Sequence, residues 1–322
     1  MKGSWERYEG PTWLVAFAIY AGWLALAALH RHIAPLLAVA LGAYLTAWHS
    51  SFQHETIHAM RRVPCRVRTL LAFPPLGVWF PYDVYRREHV QHHGVRELTG
   101  PLDPESFYFE PAAWSALPVA LRVLYGANQT LAGRLTLGPA LLIGRAYAAE
   151  IRRLRAGDRS RLRAWLTHLA ATAGLLALLQ TLAGIAPLTY LAFVAYPAAS
   201  LGLIRSFAEH RAAENAADRT ATVVSRSMLS LLFLNNNYHA THHAFPALPW
   251  YAIPARWRAG VVDGQPERLV YAGGYRQIVR SWLWRAIDSP VRAAAAARPA
   301  LVAQRRSAAE PTGAAYVVRR LR

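Results

Sequence analysis

Nine of the thirteen histidines in this 322-residue chain fall into four short clusters. Two clusters have the pattern HxxHH, one is an i, i+4 pair, and one is a single histidine that follows a glutamate. On a helix, positions i, i+3 and i+4 project from one face, so each cluster can direct its imidazoles at one point. The clusters are His54 and His58; His89, His92 and His93; His210; and His239, His242 and His243.

This many clustered imidazoles indicates more than one metal ion. Imidazole is a common protein ligand for zinc, copper, iron and nickel. Nine imidazoles are more than a single octahedral ion can bind, whereas two ions would leave positions for a bridging oxygen and for dioxygen. The pattern therefore predicts a dinuclear metal site, although ligand type alone does not select the metal.

The elements that must position these clusters are strongly apolar. Apolar residues make up 54% of the chain and charged residues only 17%, against about 25% charged residues in soluble domains. Four segments approach the roughly 17–25 residues needed to cross a bilayer, and each pair has a short linker. The sequence predicts an all-α integral membrane protein with four transmembrane helices in two hairpins, at residues 13–29, 33–48, 165–182 and 185–204.

The arginines orient these hairpins. The net charge is +18, but the two hairpin connections together carry only Arg31. The positive-inside rule therefore places both termini and all four clusters in the cytoplasm, in a cap above the membrane helices. The arginines that carry this argument flank the spans: Arg61, Arg62, Arg66, Arg68, Arg152, Arg153, Arg155, Arg159, Arg161, Arg163, Arg205 and Arg211.

The remaining segments divide the chain and exclude several classes. Residues 70–81 and 112–144 are apolar but broken by prolines, and we expect interfacial or re-entrant pieces. We predict one membrane domain over residues 1–289 and a disordered basic tail over residues 290–322. The single cysteine, Cys65, excludes a disulfide scaffold and a fused rubredoxin or four-thiolate iron–sulfur centre. Because the arginines adjoin apolar segments, no nucleic-acid partner is expected.

The clusters, in this order on a four-span chain, resemble the membrane fatty acid desaturase and hydroxylase superfamily, in its bacterial fatty-acid-desaturase-like branch. The resemblance covers residues 13–257 and includes the stretches Asp103-Pro104-Glu105-Ser106 and Pro249-Trp250-Tyr251. At Ser206 the acyl-CoA desaturases carry an asparagine, and the Glu209-His210 form is closer to alkane hydroxylases. The metal ligands that the resemblance implies are His54, His58, His89, His92, His93, His210, His239, His242 and His243.

The resemblance also implies a chemistry. It implies two non-haem iron ions that activate dioxygen with two external electrons and remove hydrogen from an unactivated C–H bond of a fatty acid or lipid. Desaturation is the favoured outcome, with hydroxylation, ketolation and alkene-forming decarboxylation as alternatives. The electrons would come from a separate acidic carrier such as a ferredoxin or rubredoxin. Arginines suited to that carrier face the cytoplasm of a bacterial inner membrane: Arg61, Arg62, Arg86, Arg87, Arg205 and Arg211.

No catalytic side chain beyond the metal ligands is identified from the sequence, but two residues are predicted to orient ligands. Glu209 and Asn236 are the candidates, and Glu55 and Glu88 are weaker ones. His49 is a further weak candidate. Ordinary structural roles are expected for His30, His32 and His168.

Two remote alternatives remain. Residues 54–58 fit the HExxH motif of an intramembrane zinc peptidase, with Glu55 as the base and Asp103 as the distant acid that such enzymes need. A metal transporter would also use clustered histidines, although its ligands should lie near the bilayer midplane. Both alternatives leave much of the histidine set without a role.

Overall fold

The computed structural model describes residues 8–95, 98–100, 103–213, 219–260 and 269–292. This part of the chain is mostly helical. Its two short strands, β1 (Thr222–Val223) and β2 (Val270–Tyr271), pair in parallel, with Thr222 opposite Val270 and Val223 opposite Tyr271. Most of the predicted tail, residues 293–322, lies outside the described residues.

The helices form a membrane set and a set of shorter elements between and after them. The first half of the chain contains α1 (Gly10–Leu29), α2 (Pro35–His58), α3 (Cys65–Ala72), α4 (Tyr82–Gly94), α5 (Pro111–Ser115), α6 (Val119–Ala127), α7 (Leu131–Thr136) and α8 (Gly138–Arg155). The second half contains α9 (Leu162–Leu178), α10 (Pro187–Tyr190), α11 (Tyr196–Glu209), α12 (Met228–Leu232), α13 (His239–Ala244), α14 (Ile253–Arg258) and α15 (Gly274–Trp282). Short non-α turns extend three of the long helices, at His30–His32, Leu179–Ala183 and Leu191–Ala195.

Three helices in the described residues are long and apolar enough to cross a membrane. They cover Gly10–His32, Leu162–Ala183 and Pro187–Glu209, and they coincide closely with three of the four predicted spans. The other predicted span, residues 33–48, lies at the start of α2, which continues without a break to His58. The polar residues His49, Ser50 and Ser51 lower the mean hydropathy of α2 below that of the other three helices.

Large apolar side chains point outward from these helices. Leu24, Leu182 and Leu188 are 63%, 81% and 78% exposed, where a water-soluble helix would carry polar residues. The first turns of α2 behave in the same way, since Leu36 is 81% exposed. This apolar outer surface is the one expected against lipid tails.

The segment between α3 and α4 inserts among the membrane helices. The Tyr190 hydroxyl donates a hydrogen bond to the Leu76 carbonyl at 2.7 Å, and His168 Nε2 lies 2.8 Å from the Val78 carbonyl. The Trp79 indole donates to the Ala195 carbonyl. Irregular backbone needs such partners at membrane depth, so this geometry fits a re-entrant segment. It also gives His168 a structural role, as expected.

The two hairpins contact each other at the end opposite the histidine clusters. Gly184 has the left-handed φ of 70° that favours glycine at a helix C-terminus, and its amide donates to the Gln180 carbonyl. Arg31 donates to the Ala183 carbonyl, and its guanidinium occupies the space that a Cβ at position 184 would need. His30 and His32 lie at this end, about 30 Å along α2 from His54.

The last described residues are held against the segment that follows α11. The Arg211 guanidinium forms two hydrogen bonds with the Asp288 carboxylate, at 2.8 and 2.9 Å, and a third with the Ile287 carbonyl. The Tyr108 hydroxyl donates to the same carboxylate. These contacts hold residues 287–288 beside the residue that follows His210.

Candidate metal centre

All nine predicted ligand residues converge in two adjacent groups. Within each group, one candidate ligand nitrogen of every residue lies within 4.8 Å of all the others. The first group contains five residues: His54, His58, His89, His93 and His242. The second group contains four: His92, His210, His239 and His243. The groups are in contact, because the rings of His93 and His243 stack with centroids 4.3 Å apart.

Each HxxHH helix contributes to both groups, which differs from the expectation that a cluster aims at one point. On α4, His89 and His93 face the five-histidine group, whereas His92 faces the four-histidine group. Helix α13 is the reverse, because its first and last histidines face the four-histidine group and His242 faces the other. Helix geometry explains the division. Positions i and i+4 lie about 40° apart around the axis, while i+3 lies about 100° from i+4.

The remaining ligand residues come from helix ends. His54 and His58 lie on the last turn of α2, with ring centroids 5.0 Å apart. His210 follows α11 in an extended conformation and pairs with Thr220 just before β1. The other end of β1 contacts the residues that lead into α13, since the Val223 carbonyl accepts a hydrogen bond from the Asn237 side chain. This strand therefore places His210 and His239 side by side, with Nε2 atoms 2.8 Å apart.

The approach to α13 has unusual backbone geometry. Leu234 and Asn235 have φ values of 48° and 56°, a region that side-chain-bearing residues rarely adopt. Asn235 donates to the Trp250 carbonyl, and Leu234 is buried, so packing holds the turn in place. Backbone strain of this kind persists only where the surroundings determine it, and it often accompanies functional sites.

Carboxylates hold three of the histidines at Nδ1. His89 Nδ1 lies 2.7 Å from Glu105 Oε1, His92 Nδ1 lies 2.8 Å from Asp103 Oδ1, and His239 Nδ1 lies 3.2 Å from Glu209 Oε2. An imidazole that donates a hydrogen bond from Nδ1–H keeps the lone pair of Nε2 for a metal. These carboxylates therefore fix the tautomer that a ligand needs.

The histidine groups contain ring nitrogens without hydrogen-bond partners, as expected for metal ligands. The Nε2 atoms of His54, His58 and His89 are buried without a hydrogen-bond partner. Other Nε2 atoms face one another, such as His242 and His93 at 3.1 Å and His243 and His239 at 3.0 Å. Buried polar atoms normally have partners, so converging unpaired lone pairs are explained by a cation between them.

Burial keeps most of these imidazoles neutral. It lowers the pKa of His239 and His243 well below the ordinary value, and neighbouring histidines lower both further. His92 is different: burial lowers its pKa, but the hydrogen bond with Asp103 and the charges of Glu105 and Asp103 raise it more, so the net shift is upward. Neutral imidazole is the state that binds metal, and a bound cation would oppose protonation of His92.

The predicted orienting residues differ in where they lie. Glu209 contacts His239, and Asn236 Oδ1 lies 3.3 Å from the same Nδ1 atom. Glu55 instead accepts a hydrogen bond from the Trp250 amide, and Glu88 pairs with Arg161. His49 lies within 3.0 Å of the Tyr20 hydroxyl, which donates to the Leu71 carbonyl.

Sequence reasoning missed the orienting roles of Asp103 and Glu105. The signal was present, because both acids lie in the connection that follows the ligand-bearing helix α4. The position of Glu55 also gives no support to a zinc peptidase. Its carboxylate binds backbone, and His54 and His58 are surrounded by three further histidines.

Comparison with known families agrees with this geometry. The profile of the Fatty acid desaturase family matches residues 29–275, about three quarters of the chain. The chain belongs to the fatty acid desaturase family. No curated protein and no solved structure matched the chain in the corresponding searches. The region matched by the fatty acid desaturase family contains all nine clustered histidines.

Proposed function

We propose that this protein is a dioxygen-dependent di-iron oxidoreductase that desaturates the hydrocarbon chain of a fatty acid or lipid. The observation that carries the proposal is the pair of contiguous histidine groups at the ends of apolar helices, in a chain of the fatty acid desaturase family. Two bound iron ions would supply dioxygen activation. The nine histidines would hold them, with Asp103, Glu105 and Glu209 orienting three ligands.

The protein's own contribution is to position the ions and to exclude water. His92, His239 and His242 are each about 2% exposed or less. A dry site strengthens the interactions that hold charged groups in place and limits side reactions. Which hydrogen leaves the substrate depends on placement of its chain, so hydroxylation, ketolation and decarboxylation are the other outcomes of the test.

Lipid analysis tests the proposed reaction. Cells that express the wild-type chain should accumulate unsaturated acyl chains only when oxygen is supplied, whereas cells that express His92→Ala should not. An oxygen-dependent hydroxylated, ketone or shortened alkene product would identify one of the sister reactions. Unchanged lipids in both strains, together with a purified protein that binds iron but consumes no oxygen, would contradict the proposal.

We further propose that four helices cross a bacterial inner membrane, with both termini and the metal site in the cytoplasm. The exposed leucines at the start of α2 support it as the fourth span. Reporter fusions after Gly10, Arg31, Arg62, Ala186 and Arg211 should read in, out, in, out, in. A periplasmic signal after Arg62 would separate the metal site from cytoplasmic reductant and contradict the arrangement.

The electron carrier, we propose, docks on the outer face of α4. His89 and His92 are buried on the inner face of this helix, whereas Arg87, Val90 and Gln91 are exposed on the outer face. A helix with its side chains is about 10–12 Å across, so a carrier seated there would lie close to the ligands. Val90, 56% exposed beside an arginine, offers an apolar centre with a basic edge.

Two arginines expected on this basic face are engaged elsewhere. Arg205 pairs with the buried Glu209 carboxylate at 3.3 Å, and Arg211 pairs with Asp288. Their side chains are only 16% and 20% exposed, so neither is well placed to meet a carrier. The expectation is wrong for these two residues because each is needed to balance an acid inside the protein.

Neutralising α4 should weaken carrier binding. We expect the double variant Arg86→Gln, Arg87→Gln to raise the apparent KM for an acidic carrier several-fold, with little change in the KM for lipid. The effect should shrink as salt rises, since the Debye length falls from about 10 Å at 0.1 M to about 3 Å at 1 M. Arg152→Gln, Arg155→Gln, at the exposed end of α8, is the matched control. Equal KM values in both double variants would exclude α4 as the docking face.

A further inference from the structure

Arg134, on the short helix α7, is a cation enclosed by the protein. It is 3% exposed, and its guanidinium carbon lies 4.3 Å from the centre of the Phe107 ring. Nε donates to the Asn128 carbonyl at 3.1 Å, and Nη1 lies 3.4 Å from Ser206 Oγ. Among the residues that the structure describes, no acidic side chain pairs with Arg134. Its charge is therefore balanced only by neutral oxygens and aromatic faces.

This arrangement is costly unless an anion joins it. Burial lowers the pKa of Arg134 to about 10, so the side chain is still charged at neutral pH. A buried charge is normally paired, and leaving one without a partner is strongly destabilising. A guanidinium has five N–H donors in a planar fork suited to a carboxylate, and the contacts above use two of them.

Arg134 lines a small chamber that reaches the candidate metal centre. The chamber has a volume of about 20 Å³, and its walls include Gln129, Arg134, Ser206, Phe207 and His210. This volume suits one or two small polar atoms, such as the oxygens of a carboxylate. His210 belongs to the four-histidine group, so the chamber borders a candidate metal ligand. The chamber thus joins a candidate metal ligand to a guanidinium that has N–H donors beyond the two used above.

The two acids in the chamber wall, Asp103 and Glu105, do not pair with the Arg134 guanidinium. Asp103 accepts hydrogen bonds from His92 and from the amides of Thr99 and Glu105. Glu105 accepts one from His89. Both are committed to ligand histidines, and two divalent cations in the adjacent groups would leave the region with an excess of positive charge. An additional anion would balance it.

We propose that this chamber binds the carboxylate of a free fatty acid, with Arg134 as its counter-charge. The inference rests on the proposed function and specifies the substrate's chemical class, an unesterified acid. Because His210 forms part of the same chamber, the carboxylate would lie beside the four-histidine group. The reacting C–H bond would then be near the acid end of the chain.

Head-group selectivity of the wild-type protein is the first test. Iron-loaded protein in detergent should bind a long-chain fatty acid at least about tenfold more tightly than the methyl ester or primary alcohol of the same chain, as expected for a charge-assisted pair. Acetate alone should bind far more weakly than the long-chain acid. Equal affinity for acid and ester would overturn the proposal, and acetate binding as tight as that of the long-chain acid would assign the chamber to a small anion instead.

Arg134→Met and Arg134→Lys provide the second test. The methionine variant should weaken acid binding about ten- to hundredfold and leave ester binding within about twofold, with the lysine variant intermediate. Arg145→Met is the matched control, because Arg145 also lies over a phenylalanine ring and donates to a loop carbonyl but lies outside the chamber. Unchanged acid binding in Arg134→Met would overturn the proposal. If this variant loses iron, the wild-type comparison of acid with ester decides.

The two proposals can fail separately. Acid-selective binding that depends on Arg134, without oxygen consumption, would contradict the di-iron oxidoreductase and leave the carboxylate site standing. Oxygen-dependent turnover of an ester or alcohol, at an unchanged rate in Arg134→Met, would do the opposite. The position of the modified carbon gives a third readout, since the chamber predicts reaction near the carboxyl end.

Discussion

His210→Ala should leave the protein with about one iron ion per chain instead of two. The substitution removes one of only four imidazoles in its group, while the five-histidine group keeps its full set. Activity should fall by more than about a hundredfold, because the loss of a ligand exceeds the 10–100-fold typical of residues that merely orient one. Iron quantitation and oxygen consumption on the same preparation measure both effects.

The matched control is His32→Ala, which removes a histidine from the opposite end of α2. It should bind two iron ions and retain activity. His242→Ala, in the five-histidine group, should also abolish activity and lower the iron content. Full iron loading and activity in His210→Ala would remove this residue from the site and weaken the dinuclear assignment.

Asp103→Asn should weaken metal binding about 10–100-fold. The carboxylate is 4% exposed and accepts hydrogen bonds from His92 and from two backbone amides. An asparagine of the same shape lacks the charge, and its amino group would face an N–H donor at one of these positions. The ligand tautomer of His92 would then lose its support. Iron affinity, measured by titration of metal-free protein, reports the change without relying on turnover.

Asp83→Asn is the control for this change. Asp83 lies on α4, the helix that carries His92, but its side chain is 44% exposed and it pairs with Arg86 at 3.8 Å. We expect its iron affinity to equal that of the wild type. An unchanged iron affinity in Asp103→Asn would show that packing alone, without the carboxylate, orients His92.

Sequence spacing predicted which histidines lie together better than it predicted how they divide between the two groups. The i, i+3, i+4 pattern identified His89, His92 and His93 as neighbours on one helix. It could not show that His92 turns to the second group, because that depends on how α4 and α13 lie against each other. Glu209 was predictable as the chain neighbour of His210, but its contact with His239 requires the strand that brings the two histidines together.

The membrane prediction had a similar limit. Hydropathy predicted four spans, and three of them coincide with helices that are long and apolar enough to cross a membrane. The segment at residues 33–48 differs because the same helix, α2, continues into the polar turns that carry His54 and His58. Its polar second half carries part of the candidate metal centre, so the mean hydropathy of the whole helix underestimates that of the first half. Arg205 and Arg211 were misjudged for a related reason: counting charges does not reveal an internal partner.

The clamp between Arg211 and Asp288 sets a practical boundary for protein engineering. Expression variants shortened before Ile287 would lose the three hydrogen bonds that secure the residue after His210. Variants that end at Arg292 would keep the clamp and the pairing of residues 290–292 with Phe109. A purification handle or fused reductase therefore belongs after Arg292, where it replaces none of the described contacts beside the candidate metal centre.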